Sequence, residues 1–207
     1  MPRKYILLFL AILIPFVVAV IMQSQLGATA EEHSGLFERV VPVCYLPGRE
    51  PPAADFELIN QYGERVRLSD YWSRPVLITF TYTYCPDVCP LMNLVLNKTL
   101  PLVPNLFGAV FDVSLDPDRD TPERLLAYSR GNRYNWTFLT GDYATLEKVW
   151  RAYGVTRYVE NRNGVPYIAH DVLYIVVQNG KILGLVRGLP APETLADYLK
   201  KIVSRQC

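Results

Sequence analysis

Two cysteines with three residues between them, each followed by proline, stand in the stretch YTYCPDVCP from Tyr82 to Pro90. Two thiolates that close can be oxidised reversibly to a disulfide, or they can hold a soft metal ion together. Proline disfavours the helical conformation in the residue before it and is welcome in a first helical turn. Pro86 therefore predicts an extended Cys85, and Pro90 predicts Cys89 as the cap of a helix that starts at residue 90. Unpaired backbone N–H groups and the helix dipole favour negative charge at such a cap, so thiols there ionise more readily than free cysteine. Asp87, between the two, pushes weakly the other way.

The cysteine spacing alone leaves redox and metal chemistry open, and a third group narrows it. His170 immediately precedes the strand-like run DVLYIVV. In a thioredoxin-like sheet this junction lies beside the loop that carries the reactive cysteines. A redox thioredoxin presents a cis-proline there, whereas this chain presents histidine and its nearest proline is Pro166. Two thiolates and an imidazole form a soft mixed donor set that suits copper and can hold zinc. With monovalent copper the three-ligand site carries a net charge of about −1.

These residues need elements to bring them together. PVLITFTYT, residues 75–83, reads as a central strand buried on both faces, because it is almost continuously β-branched and aromatic. A helix is predicted from 90 to about 103, a strand over 108–115, and a helix opened by Thr121-Pro122-Glu123 and running through Ser129. A short strand over 136–139 and a helix over 143–153 follow. Residues 171–188 read as two strands around Asn179-Gly180, and 191–204 as a final helix. FELINQYGERVRL, earlier in the chain, reads as a hairpin around Gln61-Tyr62-Gly63. The order implies an α/β domain, thioredoxin-like, with a mixed sheet flanked by helices.

With YTYCPDVCP, then DVSLDPDRDTPE from Asp112 to Glu123, then His170 before a strand–turn–strand, the chain resembles the Sco/SenC proteins. These are membrane-tethered assembly factors for cytochrome c oxidase, and the resemblance extends over roughly residues 52–204. It implies a thioredoxin-like fold in which Cys85, Cys89 and His170 bind copper, as Cu(I) and in some states Cu(II). It further implies delivery of that copper to the CuA-bearing subunit of the oxidase, or thiol reduction that prepares the CuA centre. A copper donor protein and a thiol reductant are the accompanying partners. The chain departs from the family pattern at Asp171, where Ser or Thr is usual. Gln178-Asn179-Gly180 replaces an acidic-proline turn, and Cys44 and Cys207 are extra.

Several neighbours have two readings. Asp116 and Arg119, at the carboxyl end of a predicted strand, either shape the rim of the site or pair internally to steady a turn. Asp87 and Asp171 are candidates for outer contacts that tune the ligands. Met92 reads as core packing rather than as a soft ligand. Of Tyr82 and Tyr84, one is expected to pack and the other to border the loop. His33 reads as incidental.

The same cysteines can serve other functions. A thiol–disulfide oxidoreductase would use Cys85 and Cys89 for attack and resolution. A thiol peroxidase would lean on Thr81, four residues before Cys85, but no suitably placed arginine is recognisable. A plain interaction domain would need none of the three. The 21 basic and 20 acidic residues nearly cancel, which excludes the basic footprint of a nucleic-acid binder.

The amino end is a different kind of sequence. After a basic start over residues 1–4, residues 5–22 are uncharged and almost wholly apolar, which makes a helix of about 27 Å. A transmembrane anchor is expected there, with a signal peptide cleaved after Ala28-Thr29-Ala30 as the alternative. That reading puts a single-pass protein in the inner or plasma membrane, its carboxyl-terminal domain on the extracytoplasmic side. A tether over 23–51, a copper-binding domain over 52–204 and a tail over 205–207 complete the expected organisation. An oxidising compartment would permit a bond between Cys44 and Cys207.

Overall fold

The computed structural model describes residues 40–206. Among these residues ten strands run in chain order as β1 (Val41–Cys44), β2 (Glu57–Asn60), β3 (Arg65–Arg67), β4 (Val76–Thr81), β5 (Ala109–Ser114), β6 (Thr137–Thr140), β7 (Arg157–Arg162), β8 (Val165–His170), β9 (Leu173–Gln178) and β10 (Lys181–Arg187). The helices are α1 (Val88–Thr99), α2 (Pro122–Asn132), α3 (Tyr143–Ala152) and α4 (Pro192–Ser204). Eight strands form one mixed sheet in the order β1-β10-β9-β4-β5-β6-β2-β3, while β7 and β8 pair separately. The fold is thioredoxin-like.

The strand β4 is buried at all six positions and takes the centre, parallel to β5 and antiparallel to β9. Its alternating side chains feed two cores. Val76, Ile78 and Phe80 join Leu146, Val149 and Trp150 of α3 on one face. Leu77 joins Leu96 of α1, Leu125 of α2, and Leu195, Leu199 and Ile202 of α4 on the other. The period of two in the strand thus sorts residues between helical layers. The cysteine loop leaves β4 at its carboxyl end, where Leu115, just past β5, donates its N–H to Thr81 O at 2.9 Å.

Four differences from the sequence reading have physical causes. Helix α1 begins at Val88 with Asp87 as its cap, so Cys89 lies within the first turn. Pro90 is tolerated there because first-turn N–H groups lack intrahelical partners anyway. Strand β1, within the expected tether, pairs antiparallel with β10 and extends the sheet. The β7–β8 hairpin was not anticipated, although Asn163 and Gly164 both carry the positive φ of a tight hairpin turn (55° and 83°).

The fourth is the expected transmembrane helix and the single-pass membrane localisation drawn from it, both of which are corrected. No helix among the described residues is long and apolar enough to cross a membrane. The longest, α4, has 13 residues, about 20 Å against a hydrocarbon core of about 30 Å. Residues 5–22 and His33 lie outside the described residues. Cys44 is disulfide-bonded; Cys207, to which the sequence reading allowed a bond, lies outside the described residues.

Close approach of β1 to β10 depends on Gly184. A Cβ there would sit 2.4 Å from Val43 O and 3.0 Å from Ile202 Cγ2. Neither can retreat easily, since one is ladder backbone and the other is a core side chain. Gly184→Ala is expected to destabilise the domain by about 2–3 kcal/mol, read as a lower midpoint in urea unfolding. An unchanged midpoint would show that the edge strand is not held in this register.

Candidate metal centre

Cys85, Cys89 and His170 meet. One donor atom from each lies within 4.8 Å of the others. Cys89 Sγ is 3.1 Å from His170 Nε2, and the Cys89 N–H donates to Cys85 Sγ at 3.3 Å. Both cysteines carry free thiols and are buried.

The local folding explains the convergence. Cys85 ends a turn in which its N–H donates to Tyr82 O at 3.3 Å. Cys89 sits one turn on, at the amino end of α1. The imidazole arrives on the last residue of β8, and three contacts fix that hairpin over the loop. Tyr167 Oη donates to Asp87 Oδ2 at 2.8 Å. The Ile168 N–H donates to Tyr82 Oη at 3.1 Å. Arg119 Nη2 donates to Pro166 O at 3.0 Å, while its Nε pairs with Asp116. The Tyr82 ring also meets the His170 ring edge-on, at 6.0 Å between centroids.

The histidine is oriented for ligation. His170 Nδ1 is 2.9 Å from Asp171 O, and a carbonyl only accepts, so the hydrogen sits on Nδ1 and the Nε2 lone pair faces the sulfurs. Asp171 therefore acts on the ring through its backbone. Its carboxylate is occupied elsewhere, by the Thr156 N–H at 2.9 Å and by Arg187.

The two thiols differ in acidity. Hydrogen bonding from Cys89 first, and from the Asp87 and Cys89 backbone, outweighs burial and pulls Cys85 down to about 5. Burial, then the Cys85 sulfur beside it, pushes Cys89 far above the usual thiol range. One proton leaves readily, and the second stays until something replaces it. Asp87 acts in both directions. As a thiol, Cys85 donates to Asp87 Oδ1 at 3.2 Å, and once ionised it faces that same carboxylate. Burial raises Asp87, but the Val88 N–H, Tyr167 and Cys85 outweigh it, and the carboxyl is held below its usual value. A cation shared by both sulfurs and the imidazole removes the conflict, and the donor set fits a soft ion.

Other candidates sort differently. Met92 is fully buried in the core. Thr81 Oγ1 donates to both carboxylate oxygens of Asp112 at 2.8 Å, so it does not serve Cys85 as a peroxidase threonine would. Tyr84 is half exposed, with the guanidinium carbons of Arg119 and Arg124 at 4.9 and 4.4 Å from its ring centroid.

Sequence reasoning missed the polar group beneath the loop. Asp120 accepts from Thr83 Oγ1 at 2.6 Å and from Ser114 Oγ at 2.7 Å. Asp112 is 1% exposed, and burial pushes its carboxyl from 3.8 up to about 7. The folded protein therefore holds this proton more tightly than the unfolded chain. That stabilising contribution is complete below pH 3.8 and is lost as the pH rises towards 7. The stability of the unaltered protein relative to Asp112→Asn should thus fall between about pH 4 and 7 and be flat above, as urea midpoints across that range will show. A flat difference throughout would mean that Asp112 is ionised at all these pH values.

The SCO1/SenC family model matches residues 47–204. The chain is 28% identical over 157 residues to Protein sco1 of Schizosaccharomyces pombe, an alignment that covers 72% of this chain and 60% of the relative. It is 37% identical over 109 residues to the human protein named SCO1 homolog, mitochondrial, covering 48% of this chain and 35% of the relative. The chain thus spans about 60% and about a third of the lengths of these two relatives. Among solved structures, Bradyrhizobium japonicum ScoI with copper bound superposes with a TM-score of 0.65 at 28% identity, over 73% of this chain and 99% of that one.

Proposed function

This chain belongs to the SCO1/SenC family, and from that premise we propose that it is a copper metallochaperone that supplies the CuA centre of cytochrome c oxidase. Family membership implies interaction with cytochrome oxidase components. The CuA-bearing subunit as acceptor, a copper donor and a thiol reductant that keeps Cys85 and Cys89 reduced are the specific partners of this reading. The observation that carries it is the meeting of two thiols and an oriented imidazole within 4.8 Å.

Copper is the cargo. Cys85 takes it as a thiolate already, Cys89 gives up its proton when the ion arrives, and His170 Nε2 adds a neutral donor. Two thiolates and Cu(I) leave a charge of about −1, which the amino end of α1 tolerates. For release, the neutral ligand is the easiest to exchange. An incoming thiolate displaces His170, which rides on the β8 hairpin, and the sulfurs follow. Only metal–ligand bonds are exchanged, with the Cys89 proton released on loading, and no covalent bond of an organic substrate is cleaved.

The test is titration of the reduced protein with Cu(I), followed by mixing with a reduced, metal-free CuA domain. One equivalent should bind and then pass to the acceptor. Failure to bind one equivalent, or retention of copper in the presence of the acceptor, contradicts the reading.

A further inference from the structure

The surface beside the cysteine loop is more apolar than the core requires. Helix α1 turns Met92, Asn93 and Leu96 inward, yet Leu91 and Leu94 are each 45% exposed. Pro86 and Pro90 are exposed as well, and Tyr84 is 48% exposed. Residues 90, 91 and 94 share one helical face within about a turn and a half of Cys89. A single exposed leucine needs no explanation. Five uncharged exposed side chains flank two buried thiols over eleven residues and form a patch, interrupted by the exposed Asp87, whose carboxylate accepts from Tyr167 on the hairpin side of the loop.

A charge lies at the edge of this patch. Arg119 pairs with Asp116. Arg124 donates instead to Thr83, through Nε to Oγ1 at 2.8 Å and through Nη2 to the carbonyl at 3.3 Å. Among the described residues it has no carboxylate partner, so its positive charge is unbalanced next to the Tyr84 ring.

We propose that Tyr84, Leu91 and Leu94, with Arg124 at their edge, form the docking face for the copper acceptor. That partner is a protein whose own thiolate site is rimmed by apolar side chains and at least one carboxylate. The inference rests on the chaperone reading and identifies the surface through which it operates. Ligand exchange requires an acceptor sulfur to reach copper held by Cys85 and Cys89, which are only 7% and 0% exposed. An acceptor cannot approach so closely without lying on the residues that flank the loop. Apolar contact there excludes water from the exchange, and the guanidinium sets orientation and encounter rate.

The test compares the Cu(I)-loaded protein with Leu91→Asp/Leu94→Asp. Copper is passed either to a reduced, metal-free CuA domain or to a small aromatic Cu(I) chelator. The variant should bind one equivalent of copper and lose it to the chelator at the unaltered rate. Its transfer to the protein acceptor should slow at least about tenfold. Transfer by the unaltered protein should also slow as salt rises. Leu94→Ser alone, expected to slow transfer about threefold, keeps the test standing if the double variant misfolds. Equal delivery by variant and unaltered protein overturns the patch alone. No delivery by either overturns the chaperone reading together with it. Loss of copper binding in the variant, a salt-independent rate, or a dimer that the variant abolishes also overturns the docking role.

Discussion

Cys85→Ser and Cys89→Ser each lose high-affinity Cu(I) binding while the domain stays folded. A hydroxyl is nearly the size of a thiol but is a hard, unionised donor, so the exchange removes a soft ligand and leaves the packing almost intact. Loss of an outer contact costs 10–100-fold in metal affinity, and loss of a direct sulfur ligand should exceed that, at about 100-fold or more. His170→Ala should weaken binding less, because both sulfurs remain and the ligand removed is neutral. Competition against a chromogenic Cu(I) chelator measures all three, and thermal unfolding of the metal-free variants controls for the fold. Affinity that survives either serine substitution would show that copper is bound elsewhere.

The second large effect lies in the thiols themselves. With its thiol near 5, Cys85 is about 99% thiolate at pH 7, against about 3% for a free cysteine near 8.5. In metal-free, reduced protein, alkylation should therefore occur at Cys85 first. Its rate should be flat above about pH 6 and fall as the pH drops through about 5, while Cys89 reacts slowly across the range. Burial lowers the rates for both but leaves the shape of the pH profile unchanged. Mass spectrometry of iodoacetamide-treated protein assigns each site. A midpoint near 8.5, or equal labelling of both cysteines, would remove the asymmetry on which the loading sequence depends.

The residues of this site were easier to read in the sequence than their supports. The run VLITFT is almost continuously β-branched and aromatic, which suits a strand buried on both faces, and β4 is buried at all six positions. Asn179-Gly180 between two apolar runs marked β9 and β10, and both residues carry positive φ. Cys85 and Cys89 stood out because donor type and adjacent prolines are local facts, and His170 because it directly precedes the strand-like run that a thioredoxin-like sheet sets beside the cysteine loop. The hairpin that delivers His170 was missed, although Asn163-Gly164 gave the same turn signal. Only Ile168 in its two strands is fully buried, so hydrophobic alternation did not announce them. Strand β1 follows the same rule, as a short edge held by pairing rather than burial. Tyr167 to Asp87 and Arg119 to Pro166 join residues 80 and 47 positions apart, and nothing local signals such contacts. Asp112 was invisible for another reason. An aspartate in a strand reads as an outward position, and only the structure shows Thr81 on the neighbouring strand β4 bonded to it.

The most direct measurement is X-ray absorption at the copper edge on protein loaded with one equivalent of Cu(I). Two sulfur neighbours and one imidazole nitrogen are the expected shell, with the nitrogen lost in His170→Ala and one sulfur lost in each cysteine variant. A shell of nitrogen and oxygen alone, or one unchanged by these substitutions, would contradict the assignment of Cys85, Cys89 and His170 as the copper site.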